Sequence, residues 1–184
     1  MRDYYLTFRS KKRYTPKDDI KYIIPAKAIQ DTEEVLKEYA KINPAHEGMV
    51  YWGGTENGNT INVMAVIAPK TESNFGRVST SHRSNFDFVR TLNKHNLVYV
   101  AQVHSHPNAW VDHSAGDDAL AAFRTEGLVS IVVPEYGSRS MLPLTICGIH
   151  RYANEKFIRL SSKYVNDHFV ITEDKHSHFE DLRK

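Results

Sequence analysis

A single cysteine, Cys147, in 184 residues excludes an intramolecular disulfide framework and any cysteine-built zinc cluster within the chain. His, Asp and Glu are left as the residues able to hold a metal. No apolar run approaches the roughly 18 residues that suggest a membrane span, and the polar start Met1-Arg2-Asp3 does not open a signal peptide. A reducing, cytoplasmic setting is therefore expected, with no membrane partner. Charge of one sign is also lacking: 24 Lys and Arg against 22 Asp and Glu leave a net charge of +2, too little to demand a polyanionic partner. Repeats and low-complexity tracts are absent. What remains, 41% hydrophobic and 25% charged residues, is the composition of an ordinary globular protein, and the length suits one domain over 1–184.

Hydrophobic periodicity organises that domain. Residues 1–19 read as an N-terminal arm or edge strand carrying a basic run, Arg9 to Arg13, that is expected to be solvated surface rather than a nucleic-acid contact. Ile20 to Ile24 reads as a strand, and Pro25 suits the first turn of a helix spaced by Ile29, Val35, Leu36, Tyr39 and Ile42 and stopped at Asn43-Pro44. Met49 to Gly54 and the alternating Thr60 to Ala68 suggest an antiparallel strand pair, and 69–84 reads as a long loop. Phe86, Phe88, Val89 and Leu92 predict a second helix, and the near-continuous apolar run Leu97 to Val103 a central buried strand. A third helix starts near Ser114 with Ala119, Leu120, Ala122 and Phe123 on its apolar side. Strands follow at Val129 to Val133, at Leu144 to Tyr152 with Cys147 buried inside, and at Phe157 to Leu160. Residues 162–184 are expected to be a polar C-terminal tail. The fold class is thus mixed α/β or α+β.

The chemistry concentrates in His104-Ser105-His106-Pro107 and Ser114-Ala115-Gly116-Asp117. On an extended segment, residues i and i+2 project to the same side, so both imidazoles can aim at one point. Ser114 suits a helix N-cap, and Asp117 then falls in the first turn, where the helix dipole favours a carboxylate. Two histidines and one aspartate, with no fourth candidate in the motif, match catalytic zinc, in which water completes the tetrahedron. Iron and manganese remain compatible with these ligand types. Asp118 is a rival ligand, but one helical position turns a side chain by about 100°. Asp112 and His113 precede the cap and either line the cleft, support the ligands from behind or face solvent. Trp110 either packs against a substrate or anchors the core. His176-Ser177-His178 repeats the His-x-His spacing without a preceding strand or a following Ser-x-x-Asp and is expected to be solvated tail rather than a second metal site.

This string resembles the signature of the JAMM metalloproteases, also called JAB or MPN-positive domains, at His104, His106, Pro107, Ser114 and Asp117. The family's upstream glutamate context is similar to His46-Glu47-Gly48-Met49-Val50-Tyr51-Trp52-Gly53-Gly54 here. The resemblance spans roughly residues 20–152. It implies a cytidine-deaminase-like three-layer sandwich and a zinc metallopeptidase with one Zn2+ ion on His104, His106 and Asp117. Glu47 is then the general base, and Ser114 the donor to the oxyanion. It implies cleavage of a peptide or isopeptide bond after the tail of a ubiquitin-like protein, with activating and conjugating enzymes of the same pathway, in some bacterial relatives an antiviral one, as further partners. Residues 69–84 and Glu135 to Arg139 are the expected groove walls. The alternatives are a zinc hydrolase releasing an amino acid or small amine from a sulfur-carrier-like protein, and a non-catalytic scaffold of the same fold.

Overall fold

A computed structural model describes Pro16 and residues 18–184, so the basic run Arg9 to Arg13 and nearly all of the expected N-terminal arm lie outside the described residues. In chain order the elements are β1 (Lys21–Pro25), α1 (Ala26–Ala40), β2 (Met49–Asn57), β3 (Thr60–Ala68), β4 (Thr71–Asn74), β5 (Arg77–Thr80) and α2 (His82–Lys94). There follow β6 (Val98–Ser105), α3 (Ala115–Leu120), β7 (Val129–Val133), β8 (Gly148–Ala153), β9 (Lys156–Arg159), α4 (Ser162–His168), β10 (Phe169–Thr172) and β11 (His178–Asp181). Nine strands form one mixed sheet in the order β10-β1-β3-β2-β6-β7-β8-β9, with β11 added alongside β3. None of the described helices is long and apolar enough to cross a membrane.

The strand alternation builds two apolar layers on opposite faces of the sheet. Val50 and Trp52 of β2 join Leu36 and Val35 of α1 in the larger core, whereas Met49 and Tyr51 pack with Phe88 and Leu92 of α2 on the other side. Burying an indole requires a partner for its N–H. Trp52 Nε1 donates to Thr32 Oγ1 at 2.9 Å, which fixes α1 to β2. The sheet curls where β2 shifts register against both neighbours around Gly53-Gly54. A Cβ on Gly54 would lie 2.2 Å from the carbonyl oxygen of Asn62, so this bulge accepts only glycine without rearrangement.

Several expectations are corrected. Residues 69–84 are not a long loop: β4 and β5 pair as a hairpin, and α2 begins at His82. The buried face of α2 is Ser84, Phe88, Thr91 and Leu92, while Phe86 and Val89 are exposed, because the 3.6-residue period places them on the solvent side. Helix α3 stops at Leu120 and buries none of its residues, so Phe123 lies on the irregular segment beyond it and packs against the Tyr51–Phe88 cluster instead. Leu144–Ile146 is a short 3-10 turn rather than strand, and Cys147 sits between it and β8, buried in the core with its thiol pushed up to about 12 by burial. Residues 162–184 are not a polar tail. They contain α4, whose Tyr164 and Val165 are buried, and two strands that pair with β1 and β3.

Candidate metal centre

The central strand β6 carries the first two ligands. Its residues His104 and Ser105 pair with β2 at Met49 and with β7 at Val132 and Val133, so the strand end is fixed from both sides. The ladder continues one residue further, because His106 N–H donates to Val133 O at 2.9 Å. His104 and His106 are 2% and 4% exposed, and their Nε2 atoms approach to 3.3 Å. Asp117 closes the triangle, with Oδ1 3.5 Å from His104 Nε2 and Oδ2 3.2 Å from His106 Nε2. Ligand atoms bound at about 2.0–2.1 Å to a tetrahedral zinc lie about 3.3–3.4 Å from one another. The three separations lie close to that spacing, two of them ending on different oxygens of Asp117, and one ligand atom from each residue lies within 4.8 Å of the other two. In donor type and separation the residues fit the ion that the spacing predicts.

Each ligand is oriented by its own neighbourhood. A carbonyl can only accept, so His106 Nδ1–H donates to Trp110 O at 2.9 Å, which orients Nε2 towards the centre, where it faces Asp117 and would offer its lone pair to a metal on losing its proton. His104 has no such orienting bond: its Nδ1 is buried without a partner among the described residues. Asp117 is set by a reciprocal cap, with Ser114 N–H donating to Asp117 Oδ2 at 2.6 Å and Asp117 N–H donating to Ser114 Oγ at 3.1 Å. Burial works to raise the Asp117 pKa, but hydrogen bonds from His104 and His106 hold it far below the usual carboxylate range. Burial likewise works to lower His106, and the Asp117 carboxylate reverses the sign.

Asp118 points elsewhere. Its Oδ1 accepts from His113 Nδ1 at 2.9 Å, while His113 Nε2 meets Ser130 Oγ at 2.8 Å, a hydroxyl that also accepts from Gln102 Nε2 at 3.0 Å. His113 is thus a buried prop behind His104, kept neutral by burial, which lowers its pKa to about 4. Asp112 pairs with Arg159 at 2.8 Å, away from the triangle.

Glu47 lies just before β2, 4% exposed, and shares with His106, Trp110, Ser114 and Asp117 a cleft of about 180 Å3. Burial raises its pKa to about 7, partly offset by the charge of His106. Trp110 is exposed and stacks on the His106 ring, with centroids 5.4 Å apart and 19° between planes. Gly76, at the turn of the β4–β5 hairpin, forms the opposite rim. That hairpin is fixed to the site by Glu47 N–H donating to Asn74 O at 2.8 Å and Tyr136 Oη donating to Phe75 O at 2.6 Å. Tyr136 and Glu135 both adopt left-handed backbone conformations, φ 56° and 53°, a cost of order 1–3 kcal/mol each that persists only where surrounding bonds impose it. Here Tyr136 N–H donates to His106 O at 2.7 Å and Glu135 N–H to Asn108 O at 3.0 Å, so the strained pair grips the motif loop.

Sequence reasoning missed Ser105. It points away from the ligands, is fully buried, and its Oγ accepts from Gly48 N–H at 2.9 Å, while its own N–H donates to Gly48 O at 3.0 Å. The residue after Glu47 is thereby clamped to the residue between the two histidines. A Cβ on Gly48 would sit 2.7 Å from Tyr39 Cδ2, so the clamp also depends on glycine there. A polar residue inside a buried strand was the available signal for Ser105.

No family model matches this sequence, and no curated protein matches it. Among solved structures, the solution structure of a protein from Desulfitobacterium hafniense is similar with a TM-score of 0.61, covering 83% of this chain and 94% of that one at 17% sequence identity. At that identity the likeness speaks for a shared α/β fold alone.

Proposed function

We propose that this chain is a JAMM-type zinc metallopeptidase that hydrolyses the peptide or isopeptide bond after the C-terminal tail of a ubiquitin-like protein. The observation that carries the reading is the cluster of His104, His106 and Asp117, whose ring nitrogens and carboxylate oxygens approach to 3.2–3.5 Å, with His106 and Asp117 lining the same cleft as the buried Glu47 carboxyl. We further take the curled mixed sheet as cytidine-deaminase-like; α1 on one face and α2 on the other support that assignment.

His104, His106 and Asp117 would hold a zinc ion, which would supply Lewis acidity to a carbonyl and lower the pKa of water towards about 7. Glu47 takes the proton from the attacking water at a carboxylate oxygen and returns it to the leaving amine nitrogen. Burial raises the Glu47 carboxyl above its usual range and so makes it a better proton acceptor, which suits both transfers. The Ser114 hydroxyl oxygen already accepts from Asp117 N–H, which leaves its hydrogen free to donate to the developing oxyanion. Gly76 and Trp110 bound a cleft of about 180 Å3, which suits an extended, glycine-ended tail better than a bulky side chain.

The test is incubation of zinc-loaded protein with ubiquitin-like proteins fused at their C-termini to a reporter. Release of the reporter by the wild type and not by Glu47→Gln is expected. Equal release by the two proteins, or release by neither, counts against the reading.

A further inference from the structure

We propose that His95, His178 and Glu180 form a second binding site for a divalent transition-metal ion of the zinc class, which clips strand β11 to the C-terminal end of α2. The three residues are far apart in sequence and were not connected by its pattern. His95 is the C-cap residue of α2. His178 and Glu180 stand at i and i+2 on β11, which places both side chains on one side of the strand. Pairing of β11 with β3, His178 opposite Ala65 and Glu180 opposite Ile67, brings that side to the helix end.

One ligand atom from each residue lies within 4.8 Å of the other two. His178 Nε2 is 2.8 Å from Glu180 Oε2, and the two imidazole centroids are 4.7 Å apart. A hydrogen bond explains the His178–Glu180 contact by itself, but it leaves His95 unexplained. His95 Nε2 is buried, has no hydrogen-bond partner among the described residues, and lies 3.8 Å from the same carboxylate oxygen, beyond hydrogen-bond reach. A buried polar atom aimed at a carboxylate and an imidazole costs free energy unless something between them satisfies all three.

A cation does so. Two neutral imidazoles and one carboxylate favour zinc and its neighbours over calcium or magnesium, which prefer all-oxygen shells. The carbonyl end of α2 adds negative potential at His95. The side chains of His95, His178 and Glu180 are 30%, 48% and 26% exposed, so water can complete the coordination, and affinity should be lower than at the buried triangle of β6 and α3. The clip would add to what already holds this segment, the backbone pairing of β11 with β3 and the bond from Leu182 N–H to Ala68 O at 2.9 Å. Beyond β11, Leu182 packs on the Met49–Tyr51 cluster and Arg183 pairs with Glu38 of α1 at 2.6 Å.

The experiment uses the full chain, stripped with chelator and titrated with Zn2+ alone against a chromophoric competitor. Two ions per wild-type chain and one per His178→Ala chain are expected; an equal count in the two proteins overturns the site. Hydrogen exchange at 178–181 supplies an independent readout. With free zinc tenfold above the dissociation constant, opening of β11 should be suppressed about 11-fold. That protection should persist in Asp117→Asn, which damages only the first centre, and vanish in His178→Ala. Protection unchanged by zinc, or lost in Asp117→Asn, overturns the proposal.

Discussion

Glu47 offers the most discriminating test of the site, because its burial should register in stability as well as in turnover. Its pKa is raised from 4.5 to about 7 by burial beside the cleft. Between these values the unfolded chain releases a proton that the folded chain keeps, so the contribution of Glu47 to folding is fully present below pH 4.5 and is lost as pH rises through 7. A shift of one unit corresponds to about 1.4 kcal/mol, which sets a ceiling of about 3.4 kcal/mol for the loss; water in the cleft screens part of it, leaving about 1–3 kcal/mol. Glutamine fills the same space and cannot ionise. In chelator, Glu47→Gln should therefore match the wild type near pH 4.5 and gain about 1–3 kcal/mol over it at pH 8. For a chain of this length that is a rise in Tm of roughly 2–12 °C. The assay is a pair of thermal or urea unfolding curves for each protein at the two pH values. A difference independent of pH, or a variant less stable than the wild type at pH 8, would refute the assignment of a buried, proton-holding carboxyl at this position.

Three further predictions concern the surrounding residues. Asp117→Asn should weaken zinc binding by more than the 10- to 100-fold typical of residues behind the ligands, while Asp118→Asn should leave zinc affinity within that range or unchanged; competition with a chromophoric chelator reads both, and the reverse order would move the ligand register by one residue. Ser114→Ala should cost about 1 kcal/mol from the lost cap and about 100- to 1,000-fold in turnover while retaining zinc, and retention of full turnover would reduce Ser114 to a capping role. Ser105→Ala removes the acceptor for Gly48 N–H and should cost about 1–3 kcal/mol in denaturant unfolding together with a fall in turnover; a stability loss with unchanged turnover would show that Glu47 does not depend on the clamp.

The parts of the site that were legible in the sequence are those set by local geometry. His104 and His106 share a side because a strand repeats every two residues, and Ser114 with Asp117 forms a reciprocal cap across one helical turn. The apolar alternation of Thr60 to Ala68 likewise marked β3 to the residue. What was not legible depends on partners far along the chain. The β4–β5 hairpin has Val78 as its one apolar strand residue among Thr, Glu, Ser, Asn and Arg, and its position over the cleft comes from burial of Val78 and from bonds to Glu47 and Tyr136. Helix α2 misled because its large residues Phe86 and Val89 face solvent while small Ser84 and Thr91 face the sheet. Strand β11, His-Phe-Glu-Asp, carries no strand signature and is held by backbone pairing with β3.

That pairing has a bearing on how the chain matures during synthesis. Along one side, β3 is covered by β1 at Thr60–Asn62 and by β11 at Ala65–Ala68. Until residues 178–181 leave the ribosome, the main-chain donors and acceptors of an Ala-Val-Ile-Ala segment stay open to any other extended chain, the condition that favours aggregation. Docking of β11 replaces this aliphatic edge by one bearing His178, Glu180 and Asp181, whose charge discourages further strand addition. The late-made strand therefore acts as a gatekeeper for the nascent sheet, and truncation before His178 should appear first as loss of soluble yield.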